Sequence, residues 1–457
     1  MSDFNNIPKS LRREELGKVF KVAVPLSLYY ITEVAMGITD MVIVGRLGSV
    51  ELAAVGLTAN FMVEAIIVCF GLLSVVGVLS SNSLGADDHA GVSNTVGQGF
   101  WVGLFLSVVV LILAQWLPDL FVMTGQDPEV VHFSRQYLAW FMWVVPLAMI
   151  FVVLRNFLTV LSMTNIVAYI TLPAVLLNLV LNYALVFGSW GFPEMGVAGA
   201  GAASVIVNFC MVLTLVAYVG YKSECRRFAL HHGVRRLDFR IWASIFKLGT
   251  PVGMTAFLEG GLFAVVGIMM GTLGADWLAA NEILFHMIPI AFVIALAIGE
   301  SAAVRIAFYT GARNTIMPGW IARVALLVGC GVMLLSALVL WFFPDVIAGF
   351  FIDTSNPENH QVLAIVLSLA SIAAIFQLFD GAQVITAWCL RGFKDTLVPM
   401  WIASAGYWIC GLGVGYWLGF QQGLGAAGVW WGLAAGLMMT AILLLIRLKI
   451  RLGRPAF

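Results

Sequence analysis

The sequence predicts an all-α polytopic membrane protein whose twelve transmembrane helices form two pseudo-symmetric six-helix lobes. Three observations predict this class: the composition, the recurrence of long apolar runs, and an internal repeat. Of the 457 residues, 61% are hydrophobic and 11% are charged, whereas typical soluble domains carry about 25% charged residues. The formal net charge is zero, so it says nothing about acidic partners, and we expect no nucleic-acid partner.

Apolar runs long enough to cross a bilayer occur twelve times in the chain. A transmembrane helix needs about 20 predominantly apolar residues, and turn-forming sequences such as Gly125-Gln126-Asp127-Pro128 separate the runs. Several runs exceed the minimum, so we expect helix tilt or extension beyond the bilayer. The predicted spans are residues 20–45, 50–81, 95–117, 132–160, 166–188, 197–221, 241–271, 277–309, 317–344, 360–389, 397–419 and 425–447.

The distribution of Lys and Arg predicts the orientation, because cytoplasmic loops carry an excess of both residues. Basic residues cluster before the first span, between spans six and seven, and after the last span. The opposite loops carry mainly acids, with Arg46 and Arg135 as exceptions. Both termini are therefore predicted to be cytoplasmic, and this requires an even number of spans, as counted above. We expect no cleaved signal peptide, because the first apolar run is long enough to span and lacks a small-residue cleavage site.

The two halves of the chain resemble each other at a constant shift of 226 residues. Asp40 is an exception, because Val266 lies opposite it. Since the shift contains six spans, the two copies have the same orientation, as in parallel repeats. A second echo, GVAGA at 196–200 and GAAGV at 425–429, supports the duplication. Matched pairs include Phe20 with Phe246, Pro25 with Pro251, Glu33 with Glu259, and Gly45 with Gly271.

The repeat and the charge pattern together predict five regions. We interpret the linker between the two lobes as a positive-inside anchor that contacts anionic headgroups, rather than as a ligand site. Its sequence is KSECRRFALHHGVRRLDFR. The predicted regions are a cytoplasmic N-terminal tail at 1–19, an N-lobe with spans one to six at 20–221, a basic cytoplasmic linker at 222–240, a C-lobe with spans seven to twelve at 241–447, and a cytoplasmic tail at 448–457.

Ionisable residues inside predicted spans are the candidates for function. A charged group at the centre of a bilayer costs about 3 kcal/mol on insertion scales, so such acids face a cavity or a protein partner. We favour function for Asp40, Glu259 and Asp380, leave Glu33 open, and expect the others to be structural. Glu33 and Asp40 lie seven residues apart, nearly two turns, so they share a helix face and could be two steps of one ion path. The seven intramembrane acids are Glu33, Asp40, Glu64, Glu259, Glu282, Glu300 and Asp380.

Asp40 has possible oxygen partners within its own half of the chain. Asn178 and Asn182 share a face of the fifth span because they are four residues apart, and Ser204 lies on the sixth. A hard cation needs several oxygen ligands, whereas a proton needs one basic carboxylate. The sequence therefore leaves Na⁺ and H⁺ both open as the coupling ion. The Asn pair alternatively makes only interhelical hydrogen bonds.

Other polar residues receive structural interpretations. Arg155, toward the cytoplasmic end of the fourth span, is expected to snorkel to the headgroups or to balance an acid, and contact with a substrate phosphate is the less favoured reading. The six cysteines lie mostly in apolar runs without metal-ligand spacing, so they are interpreted as packing residues. The sequence contains no catalytic dyad, phosphate loop or metal cluster, so we expect neither an enzyme nor a cofactor.

Three stretches of the sequence resemble a known family of transporters. The stretch ITDMVIVGRLGSVELAAVGL, which carries the Asp of span one, is similar to the multidrug and toxic compound extrusion (MATE) transporters, specifically their NorM-type subgroup. The same is true of FLEGGLF in span seven and FQLFDGAQVITAWCLRGFKDT in span ten. The resemblance covers nearly the whole chain, and the span-ten stretch is its most specific part. It implies a V-shaped pair of six-helix lobes around a central cavity, and export of amphipathic, often cationic compounds in exchange for Na⁺ or H⁺.

The resemblance also implies site residues. Asp40 with Asn178, Asn182 and Ser204 resembles the N-lobe cation pocket of the family, and Glu259 with Asp380 resembles the C-lobe acids of the NorM type, so sodium could bind at either place. The chain departs from similar sequences at two positions. Glu33 replaces an amide, and Phe292 occupies a place where some members have a Tyr, which removes a possible ion ligand.

These observations favour a cation-coupled antiporter in a cell membrane, which would be the bacterial inner membrane if the NorM resemblance holds. We expect alternating access by rocking of the two halves, small organic cations or amphipathic drugs as partners within the lipid bilayer, and a monomer. A lipid-linked precursor flippase of the same superfamily is one alternative, but it should show a basic cavity for phosphates. A polytopic receptor or an intramembrane enzyme is the other alternative, and no catalytic spacing supports it.

Overall fold

The computed structural model describes residues 8–352 and 359–453, and within these ranges the chain is helical and contains no β-strand. This confirms the predicted all-α class, and the physical reason is that an α-helix satisfies all its backbone hydrogen bonds within one lipid-spanning segment. Parts of the predicted tails, at 1–7 and 454–457, lie outside the described residues.

Nineteen α-helices are described within these ranges, together with one 3₁₀ turn and two π-helical segments. The α-helices are α1 (Lys9–Val44), α2 (Ser49–Gly85), α3 (His89–Ala114), α4 (Leu117–Met123), α5 (Pro128–Phe141), α6 (Val144–Val160), α7 (Asn165–Phe187), α8 (Val197–Tyr221), α9 (Ser223–Arg226), α10 (Leu230–Arg235), α11 (Phe239–Leu273), α12 (Ala275–Met287), α13 (Pro289–Gly311), α14 (Met317–Phe342), α15 (Pro344–Ala348), α16 (His360–Gly392), α17 (Leu397–Ser404), α18 (Leu412–Tyr416) and α19 (Gly425–Leu452).

The number of spans agrees with the prediction. Among the described residues, 11 helical segments are long and apolar enough to cross a membrane, and the bent pair α5 and α6 makes 12. This pair, predicted as the single span 132–160, is bent by 41°. The predicted span 277–309 is likewise divided between α12 and α13, because Pro289 has no backbone N–H to continue the hydrogen-bond ladder of α12.

The first helix begins within the segment predicted as a cytoplasmic tail. α1 starts at Lys9, eleven residues before the predicted span. Lys18 lies 2.7 Å from Glu14 and 2.9 Å from Glu15, and such pairs three and four residues apart support a helix in water. The apolar threshold that set the predicted start at residue 20 cannot detect this polar helical extension.

The chain packs as two compact units. Among the described residues, one comprises 28–253, and the other comprises 8–27 together with 254–352 and 359–453. We call them unit 2 and unit 1, respectively. Both α1 and α11 therefore contribute to each unit. The predicted lobe boundaries stay predictions. The two units differ from the predicted lobes because the start of α1 belongs to unit 1 and the start of α11 belongs to unit 2.

Unit 2 contains the linker between the predicted lobes, which is folded against α3. Gln98 on α3 donates from Nε2 to the carbonyl oxygens of Gly233 and Arg236, at 3.0 and 2.7 Å. Its Oε1 accepts from the backbone N–H of Asp238 and from the indole N–H of Trp242, at 3.1 and 3.0 Å. One buried amide thus holds both the linker and the start of α11. The exposed Arg side chains of the linker agree with the predicted basic surface.

Unit 1 joins the start of α1 to α13, which lies in the second half of the sequence. Arg305 on α13 donates from Nε and Nη2 to the same carboxylate oxygen of Glu15, at 2.9 and 2.7 Å. Both side chains are buried, and Ser301 donates to the carbonyl of Val19 at 3.0 Å. Glu15 is thus an ion-pair partner of Arg305, although the two residues lie 290 positions apart in the sequence.

Close helix packing within unit 1 depends on glycines. The segment after α17 is π-helical at Ala405–Gly411 and again at Trp417–Gln421, on either side of α18. Gly428, Gly432 and Gly436 of α19 each face the backbone of this irregular segment, so that a Cβ atom at any of them would collide with backbone atoms. Small residues at such positions let two helices approach more closely than larger side chains permit.

Candidate functional site

The first candidate site surrounds Asp40 in unit 2. Its Oδ1 accepts hydrogen bonds from Nδ2 of Asn178 and of Asn182, at 3.0 and 2.7 Å. Its Oδ2 accepts from the hydroxyl of Ser204 at 3.0 Å. Asp40 is only 9% exposed, and its three partners are also buried. The structure therefore brings together the four residues that the sequence grouped, and we call them the Asp40 pocket.

Three helices place these side chains. Asp40 lies near the end of α1, and Asn178 and Asn182 lie one turn apart on α7, with Nδ2 of Asn182 also donating to the carbonyl of Asn178 at 3.0 Å. Ser204 lies on α8, which approaches α7 closely. A Cβ atom at Gly199 of α8 would lie 2.6 Å from the carbonyl group of Leu185. The small residues at the start of α8 thus let this helix pack close enough to α7 for the Ser204 hydroxyl to reach Asp40.

The Asp40 pocket offers more oxygen atoms than its hydrogen bonds use. The amide oxygens of Asn178 and Asn182 are buried and have no hydrogen-bond partner among the described protein groups. Together with the two carboxylate oxygens and the Ser204 hydroxyl, they make five side-chain oxygens of the kind that a hard cation binds, while the carboxylate alone suffices for a proton. In this structure both amides present their nitrogens to Asp40. Tyr137 of α5, which the sequence did not single out, also interacts electrostatically with Asp40.

Glu33 belongs to a different cluster in the same unit. Its carboxylate makes a side-chain hydrogen bond with Tyr29 and interacts electrostatically with Arg155. The guanidinium of Arg155 lies over the rings of Tyr29 and Tyr30, 5.1 and 5.3 Å from their centroids, and donates to the Tyr30 hydroxyl at 2.9 Å. Glu33 and Asp40, predicted as two steps of one path, therefore have separate sets of partners.

The position of Arg155 decides between its predicted roles. Its side chain is 2% exposed, so the expectation that it snorkels to the headgroups is wrong. The alternative expectation, that it balances an acid, agrees with its interaction with Glu33. A snorkelling side chain keeps its charged group in water, whereas the guanidinium of Arg155 lies against the rings of Tyr29 and Tyr30.

The second candidate site lies in unit 1. Asp380 is buried on α16 and interacts electrostatically with Glu259, which is half-buried on α11. The structure thus brings these two predicted acids into the same neighbourhood. Two lower-ranked residues have other environments. Glu282 lies on an exposed part of α12, and Phe292 packs against the apolar cluster of α13, α14 and α16.

The sequence reasoning missed two polar residues of this second site. Tyr407 is buried in the π-helical segment and interacts electrostatically with both Glu259 and Asp380. Its hydroxyl accepts a hydrogen bond from Nε2 of Gln383 at 2.6 Å. The second echo in the sequence aligns residue 196 with residue 425, a shift of 229 positions, and the same shift aligns Asn178 with Tyr407. Extending that echo would have identified Tyr407 as the counterpart of a residue in the Asp40 pocket.

Comparisons with known proteins match this chain to one family model and to curated relatives. The MatE family model matches residues 25–184 and 251–417. The chain is 35% identical over 425 residues to the probable multidrug resistance protein NorM of Burkholderia mallei, covering 93% of this chain and 90% of that protein. It is 35% identical over 440 residues to the protein of the same name from Pseudomonas aeruginosa, covering 96% and 90%.

Solved structures share the fold at lower sequence identity. The crystal structure of the eukaryotic MATE transporter AtDTX14 matches with a TM-score of 0.84 and 18% identity, over 97% of this chain and 98% of that one. A transporter of the MOP superfamily from Pyrococcus furiosus, described as having a binding pocket of reversed polarity, matches with a TM-score of 0.83 and 18% identity, over 95% of both chains. The family model, which covers both halves, and the curated relatives together show that this chain belongs to the MATE family of multidrug efflux transporters.

Proposed function

We propose that the chain is a secondary active antiporter that exports amphipathic, often cationic organic compounds in exchange for Na⁺ or H⁺ by alternating access. The observation that carries this proposal is the Asp40 pocket, a buried carboxylate held by three hydrogen bonds inside a membrane helix. An acid in that position is costly and marks an ion or proton pathway by default. The names of the curated relatives, multidrug resistance proteins, support the substrate class.

The mechanism assigns different tasks to the two sites. In the Asp40 pocket, a proton binds the carboxylate, or Na⁺ binds the carboxylate together with the amide and hydroxyl oxygens. Glu259 and Asp380 place two acids in one region of unit 1, where a low dielectric strengthens their attraction for an organic cation. The coupling ion binds one conformation more tightly and shifts the population toward it, whereas the substrate binds the other conformation more tightly and shifts the population back. Because each ligand favours a different conformation, the binding of one promotes release of the other.

Efflux from proteoliposomes tests the proposal. Purified protein is reconstituted, and the loss of a panel of fluorescent cationic compounds is followed under a Na⁺ gradient and, separately, under a proton gradient. We expect one gradient to drive efflux and Asp40→Asn to abolish it. Glu129→Gln, a change at an exposed acid outside the sites, serves as the control and should leave efflux intact. Full activity of the Asp40→Asn, Glu259→Gln and Asp380→Asn variants would refute the assignment of these acids.

We further propose a bacterial inner-membrane location, with both termini in the cytoplasm and a monomer as the functional form. The excess of Lys and Arg before the first span, in the linker and after the last span supports this orientation. A substrate panel that includes lipid-linked phosphates tests the flippase alternative. In unit 2, the buried cation Arg155 already interacts with Glu33, which disfavours a phosphate site there.

A further inference from the structure

Unit 1 contains buried amide groups that have no function assigned above. Asn281 on α12 is 0% exposed, and Gln377 on α16 is 1% exposed. Neither the nitrogen nor the oxygen of either side-chain amide has a hydrogen-bond partner among the described protein groups, and the same holds for the indole N–H of Trp430 on α19.

These groups lie in one part of unit 1. The ring of Trp430, which is 0% exposed, packs 5.5 Å from the ring of Phe285 and 5.6 Å from that of Phe376, measured between centroids. Asn281 precedes Phe285 by one helical turn on α12, and Gln377 follows Phe376 directly on α16. Trp430 thus contacts α12 and α16, the two helices that carry Asn281 and Gln377, and we call Asn281, Gln377 and Trp430 the amide cluster.

The amide cluster is continuous with the acid site along α16. Gln377, Asp380 and Gln383 follow one another at intervals of three residues, so each is adjacent to the next on the helix surface. Gln383 uses its nitrogen to donate to Tyr407, while its buried oxygen lacks a partner among the described protein groups. A polar stripe therefore runs from Gln377 past Asp380 to Gln383.

The mixture of donors and acceptors identifies the ligand. Leaving a buried amide unpaired costs about 1–3 kcal/mol for each group, and buried polar groups in native proteins are nearly always paired with protein or ordered water. A bare cation would satisfy only the oxygens, and an anion only the N–H groups. Water donates and accepts, and buried water typically makes about three hydrogen bonds to groups of this kind.

We propose that ordered water molecules bind the amide cluster and form a hydrated branch leading to Asp380. Asn281 lies on the second turn of α12, toward the predicted outer end of its span, so the branch lies between that end and the buried acid. Within the proposed antiport function, on which this role rests, the water molecules hydrate or relay the coupling ion to Asp380. The binding of the water itself does not depend on transport.

Radiolytic hydroxyl labelling of the intact protein in lipid nanodiscs tests the binding of water. X-rays generate hydroxyl radicals from bound water in place, so buried side chains beside ordered water become oxidised. We expect oxidation of Trp430 several-fold above that of Phe157, a fully buried ring in unit 2, and a loss of this excess in Gln377→Leu. Oxidation of Trp430 at the level of Phe157 in the unmodified protein would overturn the proposal without any variant.

Efflux then tests the role of the hydrated branch. Changes to groups that support an ion site commonly cost about 10- to 100-fold in affinity or activity. We expect Gln377→Leu and Asn281→Leu to slow ion-driven efflux by about tenfold while equilibrium binding of the drug is retained. Unchanged efflux with lost labelling would refute the transport role. A wild-type protein that shows labelling but no ion-driven efflux would refute the proposed function alone.

Discussion

Glu33 and Asp40 lie seven residues apart on one helix, yet their side chains have different surroundings. The carboxylate of Asp40 accepts three hydrogen bonds from neutral groups, so binding a cation or a proton there changes the net charge of the pocket. Glu33 has a cationic neighbour in Arg155. Its charge is therefore compensated within the protein, and we interpret Glu33 as the counter-ion of Arg155.

The charge pair predicts a non-additive effect on stability. Removing one partner of a buried pair leaves the other charge uncompensated and costs about 3–5 kcal/mol, so Arg155→Leu should lower the free energy of unfolding by this amount. The double variant Arg155→Leu/Glu33→Gln should recover part of the loss. The measurement is reversible unfolding in mixed lipid and detergent micelles.

The control for this experiment is Arg135→Leu. Arg135 pairs with Asp119 at 2.7 Å, and both side chains are exposed, so its loss should cost at most about 1 kcal/mol. An effect of Arg155→Leu no larger than that of Arg135→Leu would contradict the assigned pairing. The same is true of a double variant whose loss equals the sum of the two single losses.

The Asp40 pocket predicts a graded effect on ion affinity. Asn182 makes the shortest of the three hydrogen bonds to Asp40, at 2.7 Å, and its amide oxygen is one of the unused ligands. Asn182→Ala should weaken the apparent affinity for the coupling ion by about tenfold or more, as measured from the ion dependence of efflux. Asn208→Ala removes an amide that donates to the backbone carbonyl of Ser204 and should have little effect. Equal losses in the two variants would show that packing is responsible.

At the scale of helices, the contact between α18 and α19 depends on the absence of side chains. A Cβ atom at Gly432 would collide with backbone atoms of Gly415, whereas no heavy atom outside the local helix backbone lies within 4 Å of the Cβ position at Gly413. Gly432→Ala should lower the free energy of unfolding by about 1–3 kcal/mol, the usual cost of overpacking. Gly413→Ala, on the same short helix as Gly415, should be neutral or stabilising by up to about 1 kcal/mol, because Ala has less conformational freedom to lose. A similar loss in both variants would exclude the close contact.

The linker between the predicted lobes gives a second test at this scale. Cys225 on α9 is 1% exposed, and burial raises the pKa of its thiol to about 11. Because the thiolate is the reactive form, alkylation at pH 7 should be slow and should accelerate as the pH approaches 11. Peptide mass spectrometry follows this cysteine separately from the other five.

Gln98→Leu should release the linker and increase the alkylation of Cys225 at pH 7 several-fold, because it removes four hydrogen bonds from the segment around α10 and the start of α11. Gln115→Leu is the matched control, since Gln115 lies exposed just after α3 and its amide nitrogen donates to the sulfur of Met142 at 3.4 Å. If Cys225 reacts equally in both variants, Gln98 does not hold the linker.

For the whole molecule, the sequence predicted the helical class and the number of spans because both follow from apolar length, which lipid imposes directly. It also grouped Asp40 with Asn178, Asn182 and Ser204, because one helical face and the family resemblance pointed to the same residues. It did not predict the pairing of Glu15 with Arg305 or the placement of Tyr407. These depend on contacts between distant segments and on a π-helical segment, and neither leaves a local periodic pattern.

The orientation of the whole chain remains a prediction, and impermeant labelling tests it. The turn at Gly188–Pro193 lies on the predicted outer side, whereas the basic linker lies on the predicted cytoplasmic side. In a background in which the six native cysteines are replaced, Ser189→Cys should react with a membrane-impermeant maleimide in intact cells. His232→Cys, at an exposed position of α10, should react only after permeabilisation. Labelling of His232→Cys in intact cells would invert the proposed topology and would place the Asp40 pocket toward the opposite side of the membrane.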